Sequence, residues 1–267
     1  TKAATSADRT QQPNSTEPAK PRAFCLKNSY MTGIFRILLS GNKINTEIST
    51  FMTIEEYAFN ILKHYIGKTQ LEMYNMITGE NYTNKIPKNI SKMISDRLIG
   101  KDDELEDKNE LFKKTTYIIK NLLIFPNEEP VERMSFRNLK KSEFEKDWEE
   151  SDWKQYFEEV ILLVICYEAK DKTVKNGYRT LKEIKTISFT DEDLEALKKG
   201  YEMVQEAINK NDISLLPYPN SYKNQIIEIA PKGVKGDDAY NNFFKKDTTK
   251  TTFMLSKSFI EKKLKNK

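Results

Sequence analysis

The hydrophobic positions along this chain change period near its middle. From Ser49, STFMTIEEYAFNILKHYIG sets Tyr57, Ile61, Leu62 and Tyr65 on a helical face behind a Thr53-x-x-Glu56 capping box, and Gly67 stops it. KTQLEMYNMITG predicts a second, shorter helix, and IPKNISKMISDRLIG a third that is entered after Pro87 and ended by Gly100. An acidic loop, KDDELEDKNE, separates these helices from strand patterns. The strands are Thr115 to Ile124, the apolar run Val160 to Tyr167 (VILLVICY), and Arg179 to Phe189, which alternates around Leu181, Ile184 and Ile187. Between the first two, FRNLKKSEFEKDWEESDW is read as a polar and acidic stretch holding Trp148 and Trp153. Thr190 then caps a long helix, DEDLEALKKGYEMVQEAINKN, whose early acids suit the helix dipole. A loop, LLPYPNSYKN, a strand, QIIEIA, a loop at Lys232, a strand at Phe253 and a terminal helix complete the pattern. The sum is α+β, a mixed β-sheet flanked by helices.

One pattern occurs twice. RAFCLKNSYMTGIFR (Arg22 to Arg36) and TTFMLSKSFIEKKLK (Thr251 to Lys265) both pass from a short apolar stretch to Lys or Ser, an aromatic and a helix-like period. Phe24 lies 22 residues after the Lys2 of TKAATSAD, and Phe253 lies 21 after the Lys232 of PKGVKGDD. Internal repeats decide architecture before other features do. The first copy has no body before it, so the chain is expected to open in the last loop and strand of one domain and continue into a second. Residues 1–40 are then a tail of a missing catalytic domain, and 41–267 a domain in their own right. Residues 5–22, rich in Pro, Ser, Thr and Gln, are expected to be loop or disordered, with order beginning at Ala23.

Composition narrows the class. The 267 residues include 14 Phe and 13 Tyr, enough for a sizeable core, and 31% charged residues, a water-facing surface. VILLVICY falls far short of the roughly 20 residues that span a bilayer, and no charged-then-apolar leader opens the sequence. A cytoplasmic protein with no membrane partner is expected. Cys25 and Cys166 stand apart in apolar settings, as buried thiols do. The net charge is only +4, yet from Lys232 onward there are ten lysines against four acids, while Glu143 to Glu159 holds eight acids against two lysines. A basic C-terminal third suits phosphate, since neutralising phosphates releases counterions.

Candidate chemistry starts from Glu-x-Lys on a strand. Metal-dependent nucleases hold a divalent ion between two carboxylates, and a lysine steadies the attacking water. The sequence offers Glu168-Ala-Lys170 and Glu183-Ile-Lys185, the latter inside a strand pattern with Asp171 upstream. The competing reading of the Glu183 set is the polar face of a half-buried strand. His64, the only histidine, falls within a helix pattern between Ile61 and Tyr65, and no Gly-rich phosphate loop is present.

In order, these pieces resemble the MutH mismatch-repair endonuclease and the restriction enzymes of that fold that cut at GATC, above all those with two MutH-like copies. The likeness rests on TKAATSAD and RAFCLKNSYMTGIFR, which match the close of the family's first domain. It continues through Met134 to Phe136, the DWEES segment, FEEVILLVI, and APKGVKG ahead of FMLSKSF. The resemblance implies Glu-x-Lys on the strand TTYIIKNLLI, with an aspartate seven residues before the glutamate. Lys120 matches the lysine, but Ile118 stands at the glutamate and Leu111 at the aspartate. Asp96 is a candidate for a supporting helix carboxylate.

The resemblance therefore implies a non-cleaving second copy that binds duplex DNA, with no cofactor of its own and Mg²⁺ reserved for the parent enzyme. Its partners would be GATC-containing DNA, the N-terminal catalytic domain of the parent chain and a second copy in a homodimer. Lys232 and Lys235, on a loop whose family counterpart enters the DNA groove, are the first expected contacts; Lys120, Lys250 and Lys257 are further ones. Two alternatives stand beside this: an Mg²⁺-dependent endonuclease using Asp171, Glu183 and Lys185, or a scaffold that makes mainly protein contacts.

Overall fold

The computed structural model describes residues 54–79, 81, 86–99, 117–233, 236–241 and 243–265. The tail 1–40, the first copy of the repeat with Cys25, and the positions Thr53, Leu111 and Lys235 lie outside the described residues.

The run VILLVICY becomes the central strand of a three-stranded sheet because both of its faces are covered. In that sheet β1 (Tyr117–Ile124) runs parallel to β3 (Ile161–Glu168), and β4 (Thr180–Ile187) lies antiparallel on the other side. A strand buried on both faces reads as continuously apolar, not alternating. Leu162, Val164 and Cys166 face one core, and Leu163, Ile165 and Tyr167 face another. At about 1.5–3 kcal/mol for each fully buried aliphatic side chain, this strand anchors the molecule.

The smaller core is closed by three helices: α1 (Ile54–Leu62), α2 (Gln70–Thr78) and α3 (Ile90–Leu98). They bring Ala58, Leu62, Met73, Ile90 and Ile94 against the sheet. At the start of α2 the Thr69 hydroxyl accepts from Glu72 N at 3.3 Å, and the Glu72 carboxylate accepts from Thr69 N at 2.7 Å. Gly79 ends it at φ 70°, the left-handed cap glycine tolerates.

The larger core lies between this sheet and a second one. A turn with Glu128 at φ 65° leads from β1 into β2 (Met134–Lys140), tied by Val131 N to Leu123 O at 2.9 Å. β2 is the edge of an antiparallel sheet in the order β2-β6-β5, with β5 at Ile227–Pro231 and β6 at Thr248–Leu255. The inner face of this second sheet carries Phe136, Leu139, Ile227, Ile229, Phe253 and Leu255. α4 (Asp152–Glu159) and the long α5 (Asp191–Lys210) cover it through Trp153, Phe157, Leu197, Tyr201 and Val204. α6 (Gly236–Asn241) links β5 to β6, and α7 (Lys257–Lys265) follows Ser256, whose hydroxyl accepts from Phe259 N at 3.3 Å.

The α+β class and the helical flanks follow the sequence pattern, but two features differ from it. The strands divide into a mixed sheet and an antiparallel one instead of joining in one mixed sheet. The stretch read as merely polar, Phe136 to Trp153, holds most of β2 and the start of α4. A register shift between Ser135 and Asn138 puts Phe136 and Leu139 both inward at a spacing of three, which erases the period of two. The acids of that stretch other than Glu143 are exposed, while Trp148 and Trp153 are buried.

Candidate nucleic-acid interface

Lys120 sits on β1 between Ile118 and Leu122, on the side of the sheet that faces the larger core. A lysine there needs an acceptor, and it finds one across the molecule: its Nζ donates to the Ser135 carbonyl at 2.6 Å and lies 5.4 Å from the Phe136 ring centroid. Ile118 is packed against the same core, so the position at which the resemblance implies a carboxylate is filled by apolar contact. Asp96 belongs to the other face. Its helix α3 meets β1 through Ser95, whose hydroxyl accepts from Asn121 Nδ2 at 3.1 Å, and Asp96 itself pairs with Lys92 one turn back at 3.0 Å. Successive residues of a strand point to opposite faces, so the structure does not bring Asp96 and Lys120 together.

Lys232 repeats the arrangement from the second sheet. Its backbone N–H bonds to the Lys250 carbonyl at 2.8 Å, which carries the hydrogen-bonding of β5 and β6 one step into the loop. Its Nζ donates to Phe136 O at 2.6 Å. Two lysines from different sheets thus hold successive carbonyls of β2 within its register shift. A bulge leaves backbone groups without ladder partners, and an ammonium can supply the missing donor. Lys250 is exposed on β6 beside them. Lys257, exposed at the start of α7, is seven residues further along the chain, about 20 Å away in an extended strand.

Glu183 and Lys185 lie on β4 opposite Cys166 and Val164. They pair with each other at 3.4 Å, and Lys185 also donates to the Leu264 carbonyl in the last turn of α7. The Glu183 Oε1 atom is buried without a hydrogen-bond partner. Asp171 is engaged elsewhere, in the surface loop after β3. Hydrogen bonds from the Thr173 side chain and backbone hold its carboxyl below the usual carboxylate range. Among the described residues no group of three His, Cys, Asp or Glu side chains converges as a metal site would require. With Ile118 packed against the core and Asp171 turned onto its own loop, the described residues of neither set bring two carboxylates together.

Sequence reasoning misses three cations around β2. Arg137 lies 4.3 Å from the Trp153 ring and pairs with Glu143, which also accepts from Trp153 Nε1 at 3.2 Å. Lys140 is exposed at the end of β2, and Lys141 donates its Nζ to the Phe244 carbonyl at 2.5 Å. The KK doublet at 140–141 is the signal the sequence offers, hidden inside a stretch that reads as polar. Among the described residues no helix is long and apolar enough to cross a membrane. No known family and no curated protein matches the chain.

Proposed function

We propose that the chain is the DNA-binding, non-cleaving effector part of a MutH-related, two-copy restriction endonuclease that reads GATC. The observation that carries this reading is the pair Lys120 and Ile118. A lysine stands at the strand position that the resemblance assigns to catalysis, and a partly buried isoleucine packed against the core stands where the carboxylate would be. Without that carboxylate the strand lacks the charge that draws a divalent ion. Mg²⁺ would then act only in the catalytic copy of the parent enzyme, which, like this domain, would work in the cytoplasm.

In this reading Lys232, with Lys235 on the same loop, donates to base edges in the major groove, and Lys250, Lys257 and Lys120 hold phosphates. The carbonyl of Phe136 orients the Lys232 ammonium before DNA arrives. The partners are duplex DNA, the N-terminal catalytic domain of the parent chain and a second copy of this one.

The test is binding of the chain to short duplexes with and without GATC at two salt concentrations, with Mg²⁺ in a parallel cleavage lane. The reading expects salt-sensitive binding that prefers GATC and no cut product, and a loss of roughly 1–3 kcal/mol on Lys232→Ala. Absence of binding would leave a protein-contact scaffold. Mg²⁺-dependent cutting abolished by Glu183→Ala would move the chemistry to β4.

A further inference from the structure

Where β2 ends and β6 begins, the fold collects positive charge. Lys140 pairs in register with Thr248, and Lys250 follows two residues later on β6. Lys245 and Lys246 immediately precede Asp247, whose carbonyl accepts from Lys141 N at 2.9 Å. Four of these lysines, Lys140, Lys245, Lys246 and Lys250, are exposed, and none of the four makes an ion pair among the described residues.

Two acids close to them along the chain, Asp247 and Glu143, are already engaged. Asp247 accepts from Ser142 N at 2.8 Å, and that backbone hydrogen bond, then one from the Ser142 side chain, and last the charges of Lys140 and Lys141, hold its carboxyl below the usual range. Glu143 is taken by Arg137 and the Trp153 indole. Some exposed lysines elsewhere sit with an acid, as Lys210 with Glu206, Lys265 with Glu261 and Lys182 with Glu168, while Lys170, Lys172 and Lys175 in the loop after β3 make no ion pair among the described residues. This rim differs in that strand pairing brings cations from two distant parts of the chain to one end of a sheet.

We propose that Lys140, Lys245 and Lys246 join Lys250 in a phosphate grip for the backbone of duplex DNA, beside the Lys120 and Lys232 ammonium groups that also brace β2. It rests on the duplex-DNA reading above. Like charges crowded on a rigid strand end repel one another, and a polyanion relieves that repulsion while releasing its own counterions. Lys250 joins the two regions, because its carbonyl holds the Lys232 backbone while its side chain belongs to the rim. The grip supplies sequence-independent affinity and places the duplex over the Lys232 loop.

The experiment compares two triple charge reversals with equal net charge, K140E/K245E/K246E on the rim and K170E/K172E/K175E in the loop after β3, all at exposed lysines. Equilibrium binding to a GATC duplex and to a scrambled duplex is measured from about 50 to 200 mM salt, the range over which phosphate contacts lose affinity steeply. The rim variant is expected to bind both duplexes at least tenfold more weakly at low salt, and its log–log salt slope to shrink by roughly 2 to 3, since each phosphate neutralised adds about 0.9 to that slope. Its GATC preference should persist, and the loop variant should stay within about threefold of the parent. If both variants weaken equally, or the rim variant keeps the parent slope, the grip is wrong while the DNA-binding reading stands. If the unaltered chain binds neither duplex, both fall together. Circular dichroism of each variant checks that the fold is retained.

Discussion

Lys263 in the last helix reaches Asp193 in the first turn of α5, Nζ to Oδ2 at 2.5 Å, and so ties the C-terminal segment to the longest helix. Asp193 also caps that helix, because its carboxylate accepts from Thr190 N at 2.9 Å while the Thr190 hydroxyl accepts from Asp193 N. Burial alone would raise its carboxyl. The Lys263 hydrogen bond, with help from the Thr190 backbone, outweighs that and leaves it below the usual range.

A carboxyl depressed in the folded state contributes stability above its unfolded pKa of about 3.9 and loses that contribution as pH falls through the folded value. Asp193→Asn should therefore cost about 1–2 kcal/mol at pH 7, through the weakened cap and the unpaired Lys263. It should also flatten the loss of stability between about pH 5 and pH 3. Urea unfolding at pH 7 and pH 3 measures both. An equal acid-dependent loss in the parent and the variant would place the titration elsewhere.

Gly200 lies where α5 crosses β5. A Cβ at this position would stand 2.6 Å from Ile227 Cγ1 and 3.0 Å from the Tyr222 hydroxyl. Alanine is the better helix former by about 1 kcal/mol, but overpacking of a dense core costs about 1–3 kcal/mol. Since Ile227 is fully buried and has nowhere to withdraw, packing should decide the sign. Gly200→Ala is expected to lower the thermal midpoint by a few degrees, whereas a rise would mean that β5 gives way easily.

The two lysines that hold β2 carbonyls should separate by their own exposure. Lys120→Met removes the ammonium from Ser135 O in a partly buried setting, and an acceptor left there costs roughly 1–3 kcal/mol. Lys232 itself is exposed, although its bond to Phe136 O is part-buried like that of Lys120, so Lys232→Met gives up less packing and should cost less, about 1 kcal/mol. Chemical denaturation of the two variants beside the parent makes the comparison. Equal costs would show that the brace does not depend on burial.

How much of this was legible in the sequence depended on how local the cause was. The long helix after Thr190 was readable because its cap, its dipole-facing acids and its apolar stripe are all within the segment. β3 was readable because a strand covered on both faces needs no period. β2 was not, since the register shift against β6 breaks its alternation and lies in another part of the chain. The same holds for the candidate site. That Lys120 and Lys232 meet successive carbonyls of one strand follows from pairing between residues 15 and 96 positions apart. The lysine rim depends likewise on the end of β2 meeting the start of β6. Glu183 and Lys185 were correctly set on one strand, yet the partner that occupies Lys185, the Leu264 carbonyl, comes from the terminal helix.

Cys166 offers a test of the interior of the first sheet. It is fully buried on β3 opposite Glu183, and burial, reinforced by the Glu183 carboxylate, pushes its thiol up to about 12. The thiolate is the reactive form. At pH 8 its population is then on the order of one in ten thousand, and the sulfur is sealed from reagent as well. In a Cys25→Ser background, which leaves one cysteine, the native chain at pH 8 should resist a disulfide-exchange reagent for as long as it stays folded. Full labelling should come at a rate set by opening of the β3–β4 pair, and denaturant should make it immediate. Glu183→Gln should lower the thiol pKa by removing the neighbouring negative charge, while leaving the labelling rate controlled by opening. Fast labelling of the folded parent would mean that β4 separates from β3 readily, and that the Glu183 and Lys185 pair does not hold that edge closed.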